Sequence, residues 1–121
     1  MSDPIAVARN YLDTWNETDE ARRLALLSRY WSSDASYADP LMTADGAGNI
    51  SALVGAVHER FPGFKFKPTG TPNGHGSFVR LSWTLGPDDI DAPIEGSDVV
   101  VVEQGRIKQV IGFIDRAPAA G

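Results

Sequence analysis

The chain has 121 residues, of which 42% are hydrophobic and 22% charged, and its formal net charge is −5. That length fits one domain able to bury roughly two-thirds of the surface its unfolded chain exposes, and the acidic balance argues against nucleic acid and anionic membrane surfaces, whose recognition rests on clustered Lys and Arg. With no cysteine, disulfides, thiolate nucleophiles and Cys-based metal sites are excluded.

The N-terminus shows neither region of a secretory signal, and no apolar run approaches the roughly 20 residues that span a bilayer. The expectation is a soluble cytoplasmic protein, one domain over residues 1–121 with its core at about 4–116.

Asp3-Pro4 supplies a capping acceptor followed by proline at the first helical position, and Ile5, Ala8, Leu12 and Trp15 recur at helical spacing. A first helix is predicted to about Glu17. Thr18 or Asp19 can cap a second, with Leu24, Leu27 and Trp31 as its apolar stripe and Arg22, Arg23 and Arg29 toward water. Residues 35–39 alternate and stop at Pro40, which predicts a short strand. The Ala- and Gly-containing stretch 41–48 reads as a mobile loop. Asn49 is then placed to cap a third helix carrying Ile50, Leu53, Val54, Val57 and Phe61 inward until Pro62-Gly63 ends it.

The second half reads as strands. Residues 64–69 and 77–85 flank a turn region containing Asn73-Gly74, a dipeptide that tolerates the positive φ of hairpin turns. Val79, Leu81, Trp83 and Leu85 share one face of the second strand, and Phe78, Arg80, Ser82 and Thr84 the other. A polar loop at 87–93 leads to strands at 94–102 and 106–115 around Glu103-Gln104-Gly105. The order α-α-β-α-β-β-β-β suits an α+β fold in which a curved mixed or antiparallel sheet wraps around helices, with a pocket between the layers.

Three stretches carry a resemblance: Tyr11-Leu12-Asp13 followed by Thr18-Asp19; the run from Trp31 through Ser36-Tyr37-Ala38-Asp39-Pro40; and Ser97-Asp98-Val99-Val100-Val101-Val102 with Gly105-Arg106-Ile107 after the turn. Together with the element order they resemble the NTF2-like (SnoaL-like) superfamily over residues 6–115, nearest in pattern to its ketosteroid isomerase branch. The resemblance implies a cone-shaped fold, a pocket for a small apolar organic ligand, no cofactor and a homodimer formed through the outer sheet face. Ketosteroid isomerase pairs a carboxylate base with an oxyanion hole made of a tyrosine and a protonated aspartic acid. By position, the resemblance makes Asp39 the base and Tyr11 and Asp98 the oxyanion donors, with Trp15, Trp31, Tyr37 and Val100 lining the pocket. Limonene epoxide hydrolases instead carry an Arg and a second Asp at positions that here hold Gly96 and Gly112. The acidic residue that SnoaL-type cyclases place on the last strand is missing from Val110-Ile111-Gly112.

Plainer readings stand beside these. Asp39-Pro40 also suits a simple turn, Tyr11 a core tyrosine bonded to a carbonyl, and Asp98 a strand-end ion pair. His58 and His75 lack a metal-ligand partner at useful spacing, and Asp88, Asp89 and Asp91 lack the Gly and distal Glu of a calcium loop. The alternative to an isomerase is therefore a ligand-binding or dimerisation module without chemistry.

Overall fold

A computed structural model describes residues 3–87 and 92–117; the aspartates at 88, 89 and 91 lie outside the described residues. Helix α1 (Pro4–Asn16) is capped by the Asp3 side chain, with Pro4 at its first position, as the sequence predicts. Helix α2 (Glu20–Tyr30) is capped by Asp19 rather than Thr18. The chain continues through β1 (Trp31–Ala38), β2 (Thr43–Asp45), α3 (Ala47–Arg60), β3 (Lys65–His75), β4 (Phe78–Gly86), β5 (Ile94–Glu103) and β6 (Arg106–Arg116).

The six strands form one open, curved sheet in the order β2-β1-β6-β5-β4-β3. Every described pairing is antiparallel except that of β1 with β6, so the sheet is mixed. The helices cover one face. Tyr11, Leu27, Trp31, Ile50, Val54, Val100 and Val110 are the most deeply buried apolar side chains between the layers.

Several expectations are corrected. Arg23 does not face water: at 5% exposure it donates to Ser51 Oγ and to the Glu17 carbonyl, both at 2.9 Å, joining α2 to α3 and to the end of α1. Leu24 instead points outward at 38% exposure, because the buried face of α2 runs through Arg23 and Leu27. Trp31 belongs to β1, which begins four residues earlier than the predicted 35–39. Stretch 41–48 contains β2, paired with β1, and the first two residues of α3. Asn49 does not cap α3; its amide donates to the Asp45 carbonyl at 2.9 Å, and Gly46 at φ 83° swings the chain from β2 into the helix.

Asn73-Gly74 is also not the turn. These residues pair with Arg80 and Val79 inside the ladder, and the chain reverses at Gly76-Ser77, with Gly76 at φ 55°. Pro68 and Pro72 mimic a loop in the sequence, but β3 is an edge strand, where proline's missing N–H costs no ladder bond.

Side chains fasten the C-terminal end of α1. The Asn16 amide donates to the Phe66 carbonyl at 2.9 Å and accepts from the Phe66 N–H at 2.8 Å. His58 Nε2 donates to the Trp15 carbonyl at 2.6 Å, so this histidine is committed to the fold.

Candidate functional site

Along β5, burial alternates, placing Gly96, Asp98, Val100 and Val102 on the helix-covered face. Asp98 is thus carried into the core, 2% exposed. Its Oδ2 accepts from Tyr11 Oη at 2.7 Å and from Trp83 Nε1 at 2.9 Å. Its Oδ1 is buried and has no hydrogen-bond partner among the described residues.

Glycines shape the surroundings. A Cβ on Gly96 would fall 2.2 Å from the Trp83 ring, so only glycine lets that indole lie across β5 toward Asp98. Gly112 on β6 is the cross-strand partner of Asp98. A Cβ there would meet Asp98 Oδ1 at 2.8 Å, Asp39 Cβ at 3.3 Å and Tyr37 Oη at 3.5 Å. Asp98 Oδ1, Asp39 Cβ and Tyr37 Oη thus crowd the bare face of Gly112, which has no room for even a methyl unless a neighbour shifts.

Asp39 is held differently. It stands half-buried at the turn between β1 and β2, where its N–H bonds the Met42 carbonyl at 2.9 Å. Its Oδ1 accepts from the N–H groups of Leu41 and Met42 at 2.8 and 2.9 Å, and its Oδ2 from Tyr37 Oη at 2.6 Å. Both oxygens are engaged.

Electrostatics follow burial. Desolvation is the main influence on Asp98; the hydrogen bonds from Tyr11 and Trp83 pull its pKa down, the charges of Asp39 and Asp115 push it up, and the balance stands at about 6. Burial and then the charge of Asp98 raise the Tyr11 phenol well above its ordinary range, with a smaller opposing pull from the Trp15 indole. Tyr37 is raised as well, first by burial and then by its hydrogen bond to Asp39.

Of the expected site residues, Tyr11 and Asp98 are thus in direct contact, and Asp39 and Tyr37 form a second pair across Gly112. Trp15 packs on Tyr37 and Phe66, with ring centroids 5.4 and 5.2 Å apart. Trp31 lies 5.7 Å from the Tyr11 ring and donates its indole proton to Thr14 Oγ1 at 3.2 Å. Val100, fully buried, is two residues from Asp98 on the same face. Sequence reasoning missed Trp83, whose donor role was hidden among core residues, and the positive meaning of Gly96 and Gly112. The legible signal was a pair of glycines at inward positions of strands otherwise rich in branched residues.

The interior is filled rather than open. Tyr11, Trp15, Trp31, Tyr37 and Val100 are all 6% exposed or less. A hollow of about 350 Å³ lies elsewhere, lined by Lys65, Lys67, Thr84, Gly86, Pro87, Ala92, Glu95 and Arg116. Among the described residues no group of three or more His, Asp or Glu could hold a metal ion, and no helix is long and apolar enough to cross a membrane.

The profile of the SnoaL-like domain matches residues 8–110. The chain belongs to the SnoaL-like family. A crystal structure of a SnoaL-like family protein from Agrobacterium tumefaciens, provisionally assigned as an isomerase, is 42% identical. Its TM-score is 0.90, and the match covers 95% of this chain and 99% of that one. A protein from Kribbella flavida, provisionally assigned as a ketosteroid isomerase, superposes with TM-score 0.70 at 22% identity over 98% of this chain and 83% of its own. One from Sinorhizobium meliloti, provisionally a polyketide cyclase, gives 0.70 at 15% identity over 88% and 93%. At such identities the last two likenesses speak for the fold alone. No functionally curated protein matches the sequence. The SnoaL-like architecture accordingly fixes where Tyr11, Asp39 and Asp98 stand and leaves the chemistry to be argued from their surroundings.

Proposed function

We propose that this SnoaL-like domain, once side chains around Gly112 move aside, takes a small organic molecule beside Asp98 and moves a proton next to its carbonyl without a cofactor, an isomerase-type reaction. The observation that carries the reading is Asp98: a buried carboxylate with one oxygen held by two donors and the other open toward Gly112. A pKa of about 6 leaves it mostly ionised at neutral pH yet close enough to ambient to exchange a proton in both directions. In the step, the α C–H bond breaks, its proton passes to Asp98 Oδ1 and its electron pair flows to the carbonyl oxygen. Return of the proton to the γ carbon completes the isomerisation.

This assignment exchanges roles relative to the resemblance. Asp39, engaged through both oxygens, orders the turn and raises Asp98 through its charge, while Tyr11 and Trp83 hold the base in place. Entry of a ligand requires Tyr37 and the Asp39–Met42 turn, which is exposed at Pro40 and Leu41, to move aside, since the interior is otherwise filled. The decisive experiment is turnover of a cyclic β,γ-unsaturated ketone, followed by the absorbance of the conjugated enone. Activity in the wild type that is lost in Asp98→Asn supports the reading, and equal activity in both ends it.

The filled interior favours a second reading, a SnoaL-like module without chemistry that acts by pairing. Phe78, Ile111 and Phe113 are exposed at 47%, 37% and 52% on the sheet face away from the helices. They share that face with Val99 and Val101 in register. An apolar patch of this kind suits a second copy of the chain. Light scattering of the wild type against Phe113→Asp tests it: a dimer that becomes a monomer is the expected outcome.

A further inference from the structure

The wall around the interior is not held equally on all sides. One edge of the sheet, β3, is eleven residues long and is tied to α1 through Asn16. The other, β2, has three residues, joined to β1 by the facing pairs Ser36 with Asp45, Tyr37 with Ala44 and Ala38 with Thr43. Of its side chains only the small Ala44 packs against the core. The turn ahead of it has water on its outer side: Pro40 is exposed, and Leu41, at 79%, is the most exposed large hydrophobic side chain among the described residues. Little apolar surface therefore holds residues 39–45, and segments packed so lightly open before the rest of a fold does.

The ties that remain are polar and converge on Asp39. Its N–H donates to the Met42 carbonyl and its Oδ1 accepts from Leu41 and Met42, bonds that shape the turn itself. The bond that fastens the turn to the interior runs from Tyr37 Oη to Asp39 Oδ2. Tyr37 is buried with its ring on Trp15, and its hydroxyl stands with Asp39 Cβ over Gly112, next to Asp98 Oδ1. At the far end, the Gly46 N–H is held by the Ala35 carbonyl at 2.8 Å, which fixes that point to β1. A Cβ on Gly46 would come no nearer than 4.0 Å to a neighbour, so rotation about this glycine meets little resistance.

We propose that residues 39–45 form a lid over Asp98, pivoting at Gly46 and latched by the Tyr37–Asp39 hydrogen bond. This rests on the proposed use of Asp98 and names what regulates access to it. When the latch breaks, the turn lifts into water and the freed phenol ring swings off Trp15, uncovering the side of Asp98 that faces Gly112. The site stays dry while closed, and opening takes one charge-assisted hydrogen bond and three strand pairs rather than the whole fold. Asp39, saturated in the closed form, is thus the movable half of the latch.

Hydrogen exchange of indole protons at neutral pH, followed by NMR on the full chain, tests this without a ligand. Trp15 Nε1–H lies behind Tyr37, whereas Trp31 Nε1–H, bonded to Thr14 Oγ1 at the start of β1, reports opening of the whole core. In wild type the Trp15 proton should exchange about tenfold or more faster than that of Trp31. It should exchange about tenfold faster again in Tyr37→Phe, where the closed form has no latch to break. Because the chain has no cysteine, Ala38→Cys with Thr43→Cys places a single disulfide across the pair that flanks the turn. Oxidised, this variant should slow Trp15 to the rate of its own Trp31; reduced, it should regain the wild-type ratio. Equal rates for the two indoles in wild type, or a ratio that oxidation leaves unchanged, overturns the lid. An unmoved Trp15 rate in Tyr37→Phe means that the bond survives opening and overturns the latch; should Tyr37→Phe not fold, the disulfide variant decides. With no substrate in the measurement, a negative result leaves the proton-transfer reading to its own assay, and a failed turnover assay leaves these rates as they are.

Discussion

Asp39 and Asp98 are near neighbours across Gly112, yet the fold treats them in opposite ways. At the sheet's rim, Asp39 spends each oxygen on the turn it sits in, two backbone N–H groups on one and Tyr37 on the other. At the sheet's centre, Asp98 has both donors on a single oxygen and, among the described residues, none on the other. A carboxylate saturated by local backbone is architecture, whereas one kept half-empty in dry surroundings has been held at a cost that only a ligand or a proton can relieve.

The sharpest break of that contrast is Asp98→Asn, which should lower isomerase turnover by roughly a hundredfold or more, the usual worth of a positioned base, without loss of the folded state by circular dichroism. The same substitution isolates a pH effect on stability. Burial lifts the Asp98 pKa from 3.8 to about 6, so between those values the folded chain keeps a proton that the unfolded chain releases. Stability therefore falls as pH rises through that window and stays lower above it, by roughly 3 kcal/mol at full effect. Urea unfolding of wild type minus Asp98→Asn, from pH 4 to pH 7, should show that decline; a flat difference would mean that Asp98 is not desolvated. Next in size, Gly112→Ala puts a methyl 2.8 Å from Asp98 Oδ1. It should cost about 1–3 kcal/mol of stability by overpacking, readable as a lowered midpoint in a thermal-shift series. Asp39→Asn should do least to turnover, a few-fold, while losing about 1 kcal/mol as the turn is weakened, measured by the urea midpoint. If Asp39→Asn instead removes turnover as completely as Asp98→Asn, the contrast between the two carboxylates collapses and Asp39 is the base.

How far the sequence reached follows from which signals are local. Helix starts at Asp3-Pro4 and Asp19, and the alternation that turns Asp98 and Val100 inward, depend on residues a few positions apart and were readable directly. The mixed pairing of β1 with β6 depends on segments some seventy positions apart and left no local trace. Asn73-Gly74 misled because a turn-forming dipeptide also fits an edge strand beside a bulge. Arg23 misled because an arginine can be buried when a helix end offers a carbonyl and a neighbouring helix a hydroxyl. Within the site, residue types were legible but relations were not. The carboxylate of Asp98 was in view, but its division into an occupied and an open oxygen required knowing that Gly96 lets Trp83 lie across the strand.

The Asn16 side chain, with its paired bonds to Phe66, does for the sheet what another polypeptide would do. Its amide presents one N–H and one C=O to the N–H and C=O of an edge residue, which is the pattern a seventh strand would offer there. The rim of β3 is thereby closed at the place where a foreign backbone would begin to zip on, and Pro68 blunts the stretch beyond it. Helix α1 thus covers, through one side chain, a stretch of sheet edge of the kind that otherwise invites a second backbone to pair.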